Sequence, residues 1–140
     1  MVQANELRVG NIINSKLLGT NHTVMGFLKN RDGGIIIYTD LQESYSEIDD
    51  WQFILLTYEI LLKCGFTKLE SGWFSKSYFT DCKEMSETMA INYNIITGRC
   101  GIVDTDCEGC IAMTGQVLKY LHQLQNLYFA LTGAELVIQW

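Results

Sequence analysis

Proline is missing from this 140-residue chain, where average usage of about 5% would supply roughly seven. Turns therefore fall to the 12 glycines and to Asn and Asp, and a long Pro-rich linker is excluded. Long apolar runs are missing too. Nothing approaches the ~18 consecutive apolar residues of a membrane-spanning helix, and the opening MVQANELRVG has no basic and apolar signal region. Basic charge is scarce: 10 Lys and Arg stand against 16 Asp and Glu, for a formal net charge of −6. Such a chain repels phosphate backbones over long range, which argues against generic nucleic-acid binding while leaving room for a local basic patch. Cysteines number five, an odd count that favours free thiols over a disulfide framework. A cytoplasmic protein with no membrane segment is the expectation.

What is present is the material for a core. Hydrophobic residues make up 48% of the chain, which sets it apart from disordered sequences, and its length suits one domain over residues 1–140. From Leu7 the text reads as short strands. LRVGNIIN carries a bend at Gly10-Asn11, and HTVMGFLK and GIIIYT flank NRDGG. Asp32-Gly33 is a hairpin signal of the type I′ kind, which needs positive φ at both central positions. Ile35, Ile36 and Ile37 cannot share one face, so this strand is expected to be covered on both. In IDDWQFILLTYEILLKCGF, Thr57 is placed as an N-cap and Glu59 in a first turn favoured by the helix dipole. Gly65 is placed as the C′ glycine, with Phe66 packing back on Leu61. This short helix is expected to plug the N-terminal sheet. GWFSKSYF, MAINYNII, RCGIVD and CIAM then read as strands joined by short turns, an antiparallel meander, with TDCKEMSET as an exposed loop.

A last helix is expected from about Gly115 to Thr132, with Thr114 as N-cap and Gly133 as C′ residue. The tail ELVIQW reads as a final strand. At 100° per residue, Leu127, Tyr120, Leu131, Leu124, Val117, Tyr128, Leu121, Leu118 and Phe129 fill an apolar arc of about 200°, where one supporting sheet asks for little more than about 100°. A second surface must cover the excess, either from this chain or from another subunit. His122 and Gln125 fall at one border of that arc. They either hydrogen-bond at the margin of the core or line an interface with a partner or ligand. No Ser, Cys or carboxylate lies near His122 in sequence to be activated, although a triad partner can come from elsewhere in a fold.

Chemical motifs are thin. Cys107 and Cys110 have C-x-x-C spacing, but zinc takes four ligands, usually as two close pairs, and Cys100 and Cys82 are unevenly spaced singles. A redox pair of the thioredoxin kind would open a helix, whereas this one sits in an expected hairpin turn. Asp104, Asp106, Glu108 and Gly109 imitate the start of a calcium loop, which fails where the twelfth position is Gly115 rather than Glu. Gly33-Gly34 lacks the rest of a phosphate loop. Glu47, Asp49 and Asp50 form an acidic run, read as solvated surface, as a patch for a basic partner or as a mimic of nucleic-acid phosphates. Trp51, Trp73 and Trp140 lie near element edges, where tryptophan serves either core packing or a binding hot spot.

Three segments carry a family resemblance. NELRVGN, LTYEILLKCGF and YLHQLQNLYFALTGAEL resemble a family of small uncharacterised proteins of gut anaerobic bacteria, their prophages and their mobile elements. Its pattern reads ELRIGN, LTEEWLLKFGF and VHQLQNLYFALTGEEL. The likeness covers the two termini and the central helix, and the closing motif is specific. Tyr58 and Ile60 depart from an acidic residue and a tryptophan, Leu121 from valine and Ala134 from glutamate, and the cysteine-bearing hairpin lies outside the pattern. The resemblance implies no activity. It implies a compact intracellular protein of phage or mobile-element context.

The combined expectation is an α+β fold: an N-terminal SH3-like curled antiparallel sheet, a short central helix, a β-meander and one long C-terminal helix. The expected function is that of a small non-enzymatic binding protein forming a homo-oligomer through the last helix. It would inhibit a host defence factor or sequester a small signalling molecule. His122, Gln125, Tyr128, Phe129, Trp51, Trp73 and Trp140 are the expected binding or interface residues. No catalytic residue, metal ligand or cofactor is assigned. Two alternatives stand beside this reading. One is a nucleic-acid-associated accessory protein using Arg8, Lys16, Lys29 and Arg31 of the N-terminal sheet. The other is an enzyme using His122 with a distant carboxylate or Cys107.

Overall fold

The computed structural model describes residues 3–41, 46–79, 88–104 and 111–140. It is an α+β chain with two antiparallel five-stranded sheets, a short helix and a longer helix near the C-terminus. Contacts divide the chain, expected as one domain over 1–140, into two compact units. One is Met1–Leu55 with Tyr120–Asn126, and the other is Leu56–Lys119 with Leu127–Trp140.

The first unit's strands are β1 (Ile12–Ser15), β2 (Asn21–Lys29), β3 (Ile35–Thr39), β4 (Ser46–Glu47) and β5 (Trp51–Gln52), paired in the order β4-β3-β2-β1-β5. A 3₁₀ turn, Ile48–Asp50, separates the last two. The period-2 alternation of strands puts Ile13, Val24 and Ile37 on one buried face, where they cluster with Leu7 and Trp51. A register shift between Val24 and Gly26 marks a bulge, which bends β2 and curls the sheet.

Two local expectations are corrected here. Burial in β3 falls on Ile37 and Thr39, while Ile35, Ile36 and Tyr38 are only partly covered, so the triple isoleucine has one buried face rather than two. The β2–β3 connection is also not a type I′ turn, since Gly33 has φ 86° but Asp32 is not in the positive region. Asn30 is the reason. Its Oδ1 accepts from the Asp32 and Gly34 N–H groups at 3.1 and 2.6 Å, a side-chain turn that starts the reversal two residues earlier.

In the second unit, α1 (Tyr58–Lys63) has the expected caps. Thr57 Oγ1 accepts from the Ile60 N–H at 3.3 Å. At the other end Phe66 N–H donates to Leu61 O at 3.0 Å and Gly65 N–H to Leu62 O at 2.9 Å, with Gly65 at φ 78°. That is a Schellman ending, with Phe66 and Leu61 both buried. The helix goes with the second sheet rather than plugging the first: Tyr58 meets Phe74 edge-on at 5.4 Å. The sheet runs β6 (Thr67–Lys68), β7 (Trp73–Phe79), β8 (Thr88–Asn94), β9 (Arg99–Asp104) and β10 (Ile111–Val117), each paired with the next. This is the expected meander, with β6 added. Phe74, Tyr78, Ile91, Tyr93 and Cys100 are buried on one face.

The C-terminal region departs from expectation at both ends. Residues from Gly115 to Val117 continue β10, and the helix α2 begins only at Leu121 and runs to Thr132. Pairing of Val117 with Arg99 wins over helical periodicity there. The start of α2 is fixed by the Tyr120 N–H donating to Gln123 Oε1 at 3.1 Å, half of a capping box, and by the Leu121 N–H donating to Ile54 O at 2.8 Å. Gly133 ends the helix as expected, at φ 70° with its N–H on Phe129 O at 2.7 Å. ELVIQW is not a strand. Leu136 is buried, and Gln139 N–H donates to Lys63 O at 2.9 Å.

Candidate functional site

Two places collect polar side chains in unusual surroundings, one in each unit. The first joins the N-terminal turn to the start of α2. Gly10, at φ 93°, turns the chain so that the Asn11 N–H reaches Arg8 O at 3.2 Å and Asn11 Oδ1 accepts the Arg8 N–H at 2.8 Å. Gln125 completes this edge like an extra strand: Oε1 accepts the Ile12 N–H at 2.9 Å and Nε2 donates to Gly10 O at 3.3 Å. Asn126 does the same beside it, accepting from Asn11 Nδ2 at 2.9 Å and donating to Glu6 O at 3.1 Å. Arg8 Nη2 adds a bond to Gln125 O at 3.2 Å. The expected border position of His122 and Gln125 is thus corrected: each is 1% exposed, as deeply placed as Leu121 and Leu124.

The His122 ring lies 4.0 Å from Phe53 and 5.8 Å from Tyr120, centroid to centroid. Its Nε2 is 3.5 Å from Glu6 Oε2, outside hydrogen-bond geometry, and Nδ1 has no hydrogen-bond partner among the described residues. Burial pushes the ring's pKa down to about 4. The Glu6 carboxylate pulls the other way, but its side chain is 41% exposed and well hydrated, so burial wins. The result is a neutral imidazole that solvent does not reach. A histidine and carboxylate distant in sequence do meet, as the enzyme alternative asks, but the enclosed ring has no path to a substrate. This cluster is a clamp that holds the fold.

The second place is on the face of the second sheet opposite Phe74 and Tyr93. The turn Glu70–Trp73 is closed by the Trp73 N–H on Glu70 O at 3.1 Å, with Ser71 at φ 56° and Gly72 at φ 79°. Positive φ at both central residues is the type I′ signature, found here rather than at Asp32-Gly33. Ser71 is the one non-glycine with positive φ among the described residues. The turn brings Leu69, Glu70, Ser71 and Trp73 to the rim of a cleft of about 550 Å³, whose remaining lining is Asn92, Gly101 and Val103. Cross-strand pairing sets Asn92 beside Gly101 and beside Ser75, and the absent side chain of Gly101 leaves the hollow. Asn92 Oδ1 is buried with no hydrogen-bond partner among the described residues, which costs about 1–3 kcal/mol. A strained serine and an unsatisfied acceptor in one cleft mark it as the candidate binding site. Trp73 is among the expected binding residues, whereas Glu70, Ser71 and Asn92 are not. The Ser71-Gly72 pair was the available signal.

The other expected residues scatter. Trp51 is a core residue at 2% exposure, with His22 edge-on at 5.7 Å. Tyr128 is partly buried with Lys76 5.9 Å above its ring, whereas Phe129 and Trp140 are exposed, Lys63 lying 5.6 Å over the latter. Of the basic residues, Arg8 is in the clamp and Lys16 Nζ donates to Asp49 O, within the acidic run. Lys29 lines a separate apolar hollow of about 520 Å³ with Leu7, Phe27 and Ile35. Cys64 and Cys100 are buried, and burial pushes both thiols up to about 11, far from thiolate chemistry. Cys82, Cys107 and Cys110, and with them the metal and redox readings, lie outside the described residues, as does most of TDCKEMSET. Among the described residues no group of three His, Cys, Asp or Glu is placed to hold a metal ion, and no helix is long and apolar enough to cross a membrane. Comparison with family models, with curated proteins and with solved structures finds no match.

Proposed function

We propose that this is a non-enzymatic binding protein that sequesters a small molecule in the Trp73 cleft. One observation carries the reading: the Asn92 acceptor is buried unpaired in a hollow whose volume of about 550 Å³ falls in the range of ligand pockets, about 300–1,000 Å³. A ligand donor satisfying that oxygen would recover its desolvation cost. The proposal extends to an SH3-like first unit, supported by the strand order β4-β3-β2-β1-β5 and the 3₁₀ turn before its last strand. It extends also to a cytoplasmic protein of phage or mobile-element origin, supported by the resemblance of the terminal motifs. Native mass spectrometry of protein purified from its source tests the central point. A co-purifying small molecule is expected, lost in Trp73→Ala without change in the circular dichroism spectrum. Its retention by that variant, or its absence from the parent protein, would remove the cleft as the site.

Self-association through the C-terminal helix is a second reading, favoured by Phe129 at 40% exposure with Val137 and Trp140 exposed beyond it. A second copy packed here would bury the exposed area of these side chains. Under this reading the parent protein runs as an oligomer in native spectra and Phe129→Ser as a monomer.

A further inference from the structure

Resting on the cleft as the binding site, we propose that its ligand is a flat organic cation, of the aryl amidine or aromatic amine class. Its ring would pack on Trp73, and its N–H groups would face Asn92 Oδ1 and the Glu70 carboxylate. The lining decides the class by what it offers. Glu70 presents only acceptors, Asn92 presents an acceptor with no partner among the described residues, and Trp73 presents a ring whose face attracts positive charge. Leu69 and Val103 supply apolar walls, and Gly101 leaves room for a planar group. Among the described residues no cation lines the cleft. Lys68, on the adjoining short strand, is turned to the Tyr58 ring at 5.3 Å, and Arg99 shares a strand with Gly101 and Val103 without reaching the lining. An anion would therefore meet Glu70 with no counter-charge among the described lining residues, in a chain of net charge −6. A donor-rich cation meets complementary groups at Glu70, Asn92 and the Trp73 ring.

Three probes that share a ring but differ in polar head separate the possibilities: benzamidine (cationic donor), benzoate (anionic acceptor) and benzyl alcohol (neutral). Titration by calorimetry at low salt is expected to show benzamidine binding at least tenfold more tightly than either of the others. Glu70→Gln and Asn92→Leu should each weaken benzamidine severalfold, and Glu70→Gln should also flatten its salt dependence. Glu70 is exposed, so that variant leaves the fold undisturbed. Benzoate or benzyl alcohol binding as well as benzamidine would overturn the assigned class. If that binding were still lost in Trp73→Ala, the cleft itself would stand. Failure of all three probes also overturns the class, and a co-purifying molecule lost in Trp73→Ala would then keep the cleft separate from that failure.

Discussion

His122 shows how one buried ring links structure to solution behaviour. Its folded pKa of about 4 lies below the ordinary 6.5. As pH falls through 6.5 the unfolded chain takes up a proton that the folded chain refuses, so the folded state loses stability progressively until about pH 4. With 1.36 kcal/mol per pH unit, the loss amounts to about 3 kcal/mol across that window. Urea unfolding at pH 7 and pH 4.5 measures it directly, and in His122→Gln the pH slope should flatten by most of that amount. An unchanged slope would mean that the ring is protonated in the folded protein. Ser71 and Asn92 carry the opposite signature. Ser71→Gly should raise stability by about 0.5–1 kcal/mol by relieving the left-handed backbone. Asn92→Leu should raise it by about 1–2 kcal/mol by removing a buried unpaired acceptor, while weakening binding. Stability gained as affinity falls is the mark of a residue kept for function rather than for folding.

At the scale of elements, the clamp between the N-terminal turn and α2 is the main device of the first unit. Gln125→Ala leaves the part-buried Ile12 N–H and Gly10 carbonyl unpaired, and at about 1–2 kcal/mol for each group, the lower part of the range for an unmade bond, the expected loss is about 2–4 kcal/mol. Asn11→Ala and Asn126→Ala should be non-additive, because each side chain is the other's partner. Thermal or urea unfolding of the single and double variants reads both effects. The same scale shows what was legible in the sequence. Thr57, Gly65 and Gly133 were readable because a cap is set by chemistry within a few residues. The start of α2 was not, since Val117 and Leu118 fit a helical wheel while the pairing of Val117 with Arg99 depends on a strand 18 residues upstream. The Asp32-Gly33 hairpin was found in place but mistyped, because the Asn30 side chain rewrote the turn. The clamp residues were legible as two separate motifs, NELRVGN and HQLQN, and their bonding to each other across some 115 residues was not, because nothing local encodes it.

For the molecule as a whole, the first unit's polar cluster is enclosed, with His122 and Gln125 each 1% exposed, whereas the polar groups at the rim of the second unit's cleft border a hollow. Gln125, Asn126, Asn11 and Arg8 bond to one another or to the adjoining backbone beside the enclosed His122 ring, whereas Glu70 and Asn92 flank a hollow beside Trp73. On that contrast rests the proposal that the cleft, rather than the histidine cluster, binds a ligand. The most direct measurement is a two-dimensional NMR titration with benzamidine that follows the Asn92 side-chain amide and the Trp73, Trp51 and Trp140 indole N–H signals. Saturable shifts confined to Asn92 and Trp73 are the predicted result. Shifts at Trp140 or Trp51 with Asn92 and Trp73 unmoved would contradict it.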